Sequence, residues 1–122
     1  MKLELTPLEG AQVLEELFTP ASNEKTVAQK RKDTPVFSGV LKYFPDALKE
    51  VAKCSKAGND QHNPDKPLFW DRSKSGDELD ALTRHLIDHS VDPVDTDGVL
   101  HLAKVAWRSL AALQKHLEGQ EI

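Results

Sequence analysis

Gly98-Val99-Leu100-His101-Leu102-Ala103-Lys104-Val105-Ala106-Trp107-Arg108-Ser109-Leu110-Ala111-Ala112-Leu113-Gln114-Lys115-His116-Leu117-Glu118 carries Val99, Leu102, Ala106, Leu110, Leu113 and Leu117 in helical register. Steps of three and four residues return side chains to one face of an α-helix, so the stretch predicts a helix from about Gly98 to Glu118. Gly119 follows where a helix-terminating glycine is expected. Ala103, Val105, Trp107, Ala111 and Ala112 spread apolar surface beyond the leucine stripe. The helix is therefore expected to pack on more than one side, with part of that surface a subunit contact.

Upstream of this helix, Val91-Asp92-Pro93-Val94-Asp95-Thr96-Asp97-Gly98 is an acidic turn, in which Asp95 or Asp97 is expected to cap the helix that follows. Ser75-Gly76-Asp77-Glu78 has the form of a capping box and predicts a helix to about His89, with Leu79, Leu82 and Leu86 as its buried stripe. Pro45 opens another, on which Ala47, Leu48, Val51, Ala52 and Cys54 share a face opposite Lys49, Lys53 and Lys56. Gly58 is expected to stop it. Thr34 to Phe44, with Pro35 and Gly39, reads as a connection with one extended turn at Val36-Phe37, and Ser22 to Asp33 as a weakly docked basic segment. Thr6-Pro7-Leu8-Glu9 is another capping box, opening a helix with Leu8, Ala11, Leu14, Leu17 and Phe18 on one face and Thr19-Pro20 at its end. The expected fold is all-α, a bundle of about four helices with one long ordered loop, in a single domain over residues 1–122.

Composition narrows the function. A formal net charge of −4 argues against broad binding to duplex nucleic acid, whose affinity comes largely from neutralised phosphates. Cys54 is the only cysteine, so no internal disulfide can form, and its reading is that of a small buried apolar residue. Met1 to Thr6 lacks the apolar run of a signal peptide, and no stretch has the length of a membrane span. A cytoplasmic location is expected.

Gly58 to Lys74 is long for a helix-to-helix connection, usually about 2 to 8 residues. Pro64 and Pro67 stiffen it and Leu68-Phe69-Trp70 anchors it, which favours an ordered flap. His62 and Asn63 supply hydrogen bonds, Trp70 either stacks on a base or packs beneath the loop, and Lys66, Arg72 and Lys74 suit phosphates. On the following helix Glu78, His85 and His89 lie along one edge of the buried face, with Asp77, Asp80, Arg84 and Asp88 opposite. His85 and His89 have the i,i+4 spacing of a metal clamp but lack the zincin glutamate, and Asp80 with Arg84 reads as a surface ion pair. Asp92, Asp95 and Asp97 exceed what capping needs, and oxygen-rich clusters suit Mg2+ shared with substrate phosphates. His101, near Lys104 and Arg108, reads as part of a solvated face.

One ordered set goes further: Ser38-Gly39-Val40-Leu41-Lys42-Tyr43-Phe44-Pro45-Asp46-Ala47-Leu48, Lys56-Ala57-Gly58-Asn59-Asp60-Gln61-His62-Asn63, Trp70, Leu82-Thr83-Arg84-His85-Leu86, and Asp95-Thr96-Asp97-Gly98 followed by His101-Leu102-Ala103. It resembles the N-terminal domain of phage and prophage dATP/dGTP diphosphohydrolases over about Thr34 to Glu118. The resemblance implies a helical fold related to the MazG-like nucleoside triphosphate pyrophosphohydrolases. It also implies Mg2+-dependent hydrolysis of a nucleoside triphosphate to monophosphate and pyrophosphate, in a dimer or tetramer. The ExxE and ExxD pairs of those relatives are missing here: the only ExxE is Glu118 to Glu121, and Asp77 to Asp80, Glu50 and Asp95 to His101 are the substitutes on offer.

On that reading the partner is a small-molecule purine deoxynucleotide, with neither duplex nucleic acid nor membrane. Glu50, Asp80 and Asp97 are the expected Mg2+ ligands, while Lys42, Lys56 and Arg84 neutralise phosphates. His85 or His101 orients water or substrate as the catalytic group, and His62, Asn63 and Trp70 recognise the base. The alternative is a helical protein that binds or sequesters a nucleotide without cleaving it.

Overall fold

The structure, a computed structural model, describes residues 24–120. The helix expected from Thr6 to Phe18 lies outside those residues. Among the described residues the chain is all-α, with four α-helices and no strand beyond an isolated antiparallel bridge of Val94 with Leu100. Its described residues fall into two compact units that divide between Val40 and Leu41.

In the first unit α1, Val27–Lys32, starts after Thr26, which caps it reciprocally with Gln29: each side chain bonds the other residue's backbone N–H. Thr26 and Gln29 supply the capping box that starts the helix. None of its residues is buried. Val36-Phe37 is not extended, as the sequence suggested; Phe37–Leu41 forms a π-helical turn, with the Gly39 amide donating to the Pro35 carbonyl at 2.7 Å.

In the second unit α2 is Pro45–His62, α3 Glu78–His89 and α4 His101–Leu117, with α4 packed against both of the others. Pro45 sits where its missing N–H costs nothing. Gly58 does not stop α2, which continues four residues to His62. A mid-helix glycine costs only about 1 kcal/mol, and the extra turn carries Asn59, whose buried side chain supports the loop that follows. Its amide donates to the Lys66 carbonyl at 3.0 Å, and its oxygen accepts the Phe69 N–H at 3.3 Å. The expected loop therefore begins at Asn63, and a residue of α2 holds it in shape.

Two further expectations about helix starts give way to ion pairing. Ser75 does not cap α3; Asp77 is the N-cap residue, without a side-chain cap bond, and Glu78 turns inward to Lys115 and Arg108. Helix α4 starts at His101, not Gly98, and neither Asp95 nor Asp97 caps it. Those aspartates instead close the preceding turn: Asp95 Oδ1 accepts the Thr96 amide and Asp97 Oδ1 the Val99 amide. Gly98 takes the left-handed conformation there, φ 82°, and the Val94 to Leu100 bridge holds the turn's two ends. Gly119, φ 80°, ends α4 as expected.

The core is made of small residues. Ala81 of α3, Ala103, Ala111 and Ala112 of α4, and Val99 are buried, together with the polar Asn59, Glu78, His101 and Lys115. The leucine stripe expected inside is outside instead: Leu102, Leu110, Leu113 and Leu117 of α4 are exposed, as are Leu79 and Leu86 of α3. Alanines let helix axes approach closely, so the alanine face of α4 turns inward and the broader leucine face is left to solvent.

Candidate functional site

The loop, α2, α3 and α4 enclose a cavity of about 660 Å³, within the range of about 300–1,000 Å³ typical of small-molecule sites. Its apolar wall is Leu68, Phe69, Trp70 and Trp107. The two tryptophan rings meet edge to face, centroids 5.6 Å apart, and the Arg72 guanidinium lies 4.1 Å from the Trp70 ring. Arg72 is itself clamped by both oxygens of Glu118, at 2.6 and 2.9 Å, so the loop is tied to the end of α4. Lys74, Lys104 and Arg108 bring positive charge to the lining, and Asp71, Asp77 and Asp97 bring carboxylates.

Arg108 is positioned by a buried ionic group. Glu78, 2% exposed, meets Lys115 Nζ at 3.0 Å and Arg108 Nη1 at 3.4 Å; Lys115 also donates to the Ser75 carbonyl, and Arg108 to Ser75 Oγ at 2.8 Å. Burial disfavours the Glu78 carboxylate, but the hydrogen bonds from Lys115 and Ser75 and the Lys115 charge outweigh it, so Glu78 titrates below its ordinary value.

Beside the cavity, the acidic turn and α3 converge on His101. The Nδ1 atoms of His85 and His101 are 3.0 Å apart, and Asp95 Oδ2 stands 3.9 Å from the first and 3.8 Å from the second. These three residues form the one group of potential metal ligands gathered among the described residues. His101 is 5% exposed, not on a solvated face, because the bridged turn folds over the start of α4. Lys104 Nζ bonds Asp95 Oδ2 at 2.6 Å and Asp97 Oδ2 at 2.7 Å. The Lys104 bond pulls Asp95 down to about 2 despite its burial, with help from the Thr96 amide. Burial, followed by the Lys104 charge, lowers His85 and so favours its neutral imidazole.

The sequence-derived site residues separate on this frame. His62, Asn63, Trp70, His85 and Asp97 line the cavity. His101 joins His85 without lining it. Lys56 is outside the lining and holds both oxygens of Asp60, at 2.7 Å. Lys42 is exposed and also outside. Arg84 pairs with Asp77 at 3.0 Å rather than with Asp80, so the expected i,i+4 pair does not form. Glu50 pairs with Lys53 at 2.8 Å, and Asp80 is exposed; neither is gathered with Asp97 into one ligand set. His89 does not join His85 in a clamp, and its Nδ1 is buried without a partner. Cys54 is half-buried at the lining, and burial raises its thiol.

Sequence reasoning undervalued Asn59, Lys104, Arg108, Lys115 and Trp107. Three of these gave a signal: Lys104, Arg108 and Lys115 follow His101 at helical steps, marking a polar stripe that faces inward.

No curated protein and no solved structure matches the chain. One family model matches residues 24–122, which is most of the chain and includes every residue of the cavity lining. It describes the N-terminal region of dATP/dGTP diphosphohydrolases, and the chain belongs to that family.

Proposed function

We propose that the cavity binds a purine deoxynucleoside triphosphate, dATP or dGTP, and that the protein hydrolyses it to the monophosphate and pyrophosphate. The observation that carries this reading is the pairing of an aromatic wall, Trp70 and Trp107, with the cations Lys74, Lys104 and Arg108 in one cavity of a family named for that activity. A purine offers a flat π-face to tryptophan, and a triphosphate needs several fixed cations.

In this reading Trp70 and Trp107 take the base, His62 and Asn63 meet its polar edge, and Lys74, Lys104 and Arg108 neutralise phosphate oxygens. The His85–His101 pair orients the water. That water's oxygen attacks a phosphoryl phosphorus, the bond to pyrophosphate breaks, and the water's proton is released to solvent through the neutral imidazole of His85, the member of the pair that lines the cavity. The lining carboxylates fit Mg2+ as an ion brought in on the triphosphate, not one held in a dedicated cage: Asp77 is engaged by Arg84, Asp97 by Lys104, and Mg2+ commonly keeps waters and phosphates as ligands. When bound, Mg2+ supplies charge neutralisation at the phosphates. The exposed leucines of α3 and α4 support assembly into a dimer or tetramer, and light scattering measures it.

A second reading is that the protein binds the nucleotide without cleaving it. The same engagement of Asp77 and Asp97 by cations favours it. Incubation with dATP and dGTP plus Mg2+, followed by assay of pyrophosphate and recovery of the nucleotide, separates the two. Pyrophosphate with monophosphate supports hydrolysis; intact, tightly bound triphosphate supports the binder; neither binding nor product refutes both.

A further inference from the structure

We propose that His85 Nδ1, His101 Nδ1 and Asp95 Oδ2 are the protein ligands of a resident divalent transition-metal ion, of the zinc or cobalt class. The proposal stands on distances that do not depend on any nucleotide. The three atoms are separated by 3.0, 3.8 and 3.9 Å. The circle through three such points has a radius of about 2.1 Å, so one position is equidistant from all three at the length of a zinc–nitrogen or zinc–oxygen bond, about 2.0–2.2 Å.

An ion a few tenths of an ångström out of that plane stays within about 2.2 Å of each ligand and keeps further coordination positions open for water. His85 is also a cavity-lining residue, so an ion here sits at the cavity's wall.

The facing of the two imidazoles is the second observation. Nδ1 against Nδ1 at 3.0 Å leaves at most one proton between two lone pairs, whereas an ion between them uses both. The pair is rigidly presented: His101 is buried at the start of α4, and His85 comes from α3. The donor set selects the class of ion. Two imidazoles and one carboxylate suit borderline transition metals, while Mg2+ and Ca2+ prefer oxygen. Lys104 now holds Asp95 Oδ2 and Asp97 Oδ2 together, so a bound ion would leave Lys104 to Asp97.

The test uses untagged full-length protein, stripped with chelator and titrated with Co2+ and then Zn2+ in the absence of nucleotide. The expected result is a single ion per chain, visible cobalt bands of nitrogen and oxygen ligation, and displacement by Zn2+. His85→Ala and Asp95→Asn should each weaken binding on the order of tenfold or more, while His62→Ala, whose imidazole lies outside the trio, should not. Because His101 is buried, His85→Ala and Asp95→Asn carry the test, with far-UV dichroism confirming their helices. Absence of stoichiometric binding by the wild type would overturn the proposal. So would wild-type affinity in both variants. Metal binding is read without turnover, so a protein that binds Co2+ yet releases no pyrophosphate sinks the hydrolysis reading alone.

Discussion

Replacing Lys115 with Met should be the most damaging single change at the cavity, though Lys115 does not line it. Glu78 is 2% exposed and relies on Lys115 at 3.0 Å and Arg108 at 3.4 Å. Removing one partner of a buried ion pair costs about 3–5 kcal/mol, because the remaining charge stays desolvated. Arg108 remains to compensate part of it, which places the expected loss near the lower end, about 3 kcal/mol. For a unit of this size that lowers the melting temperature by about 12–24 °C. The double change Glu78→Leu with Lys115→Met removes both charges and should lie within about 1 kcal/mol of the wild type.

The pH dependence has a definite sign. The folded-state pKa of Glu78 is depressed below its ordinary 4.5, so the stabilisation is complete above that value and is lost as pH falls through the folded value. In Lys115→Met the largest compensating group is gone, and burial should push the carboxyl up instead. The gap between wild type and variant should therefore narrow in acid. Thermal and urea unfolding followed by far-UV dichroism at neutral and acid pH measures all of this. The reasoning is refuted if Lys115→Met costs less than about 1 kcal/mol, or if the double variant is no more stable than the single one.

Asn59→Ala removes both bonds that shape the loop and should cost about 1–3 kcal/mol, with the Phe69 amide losing hydrogen-exchange protection ahead of the helices; unchanged protection would count against the anchor. Gly98→Ala places a side chain at φ 82° and should destabilise the turn by about 1–2 kcal/mol, read as a lower melting temperature, although nothing crowds the new Cβ. Trp70→Ala should weaken dATP binding by about 1–3 kcal/mol in calorimetry while leaving the metal titration unchanged; equal affinity would remove Trp70 from the base site.

Helical periodicity made α2, α3 and α4 legible, but not which face of α4 the chain covers itself. Two apolar faces are written into that helix, one of leucines and one of alanines, and periodicity weighs them alike. The close approach of α3 and α4 through Ala81, Ala103, Ala111 and Ala112 decides between them, and that is a property of the packed pair. Helix ends were obscured for a related reason. Ser75, Asp95 and Asp97 have the chemistry of caps, yet distant cations on α4 draw Glu78, Asp95 and Asp97 into ion pairs. Gly58 looked like a stop because its compensating neighbour, Asn59, finds its partners only when the loop returns.

The site was legible in part. The loop's aromatic and polar residues and the two histidines could be named from the sequence, because unsatisfied polar groups in an apolar frame stand out. Their grouping could not. His85 and His101 meet across a turn whose shape depends on Gly98 and the Val94 to Leu100 bridge, and Glu50 and Asp80 lie neither in the cavity lining nor in that group of ligands.

Trp70 and Trp107 are the only two tryptophans in the chain, and they touch. All of the protein's indole emission therefore originates at one wall of the cavity, from two chromophores close enough to exchange excitation. A ligand entering there, or Arg72 leaving the ring it covers, alters the signal of the whole molecule, with no background from other tryptophans. The protein carries its own optical reporter of occupancy.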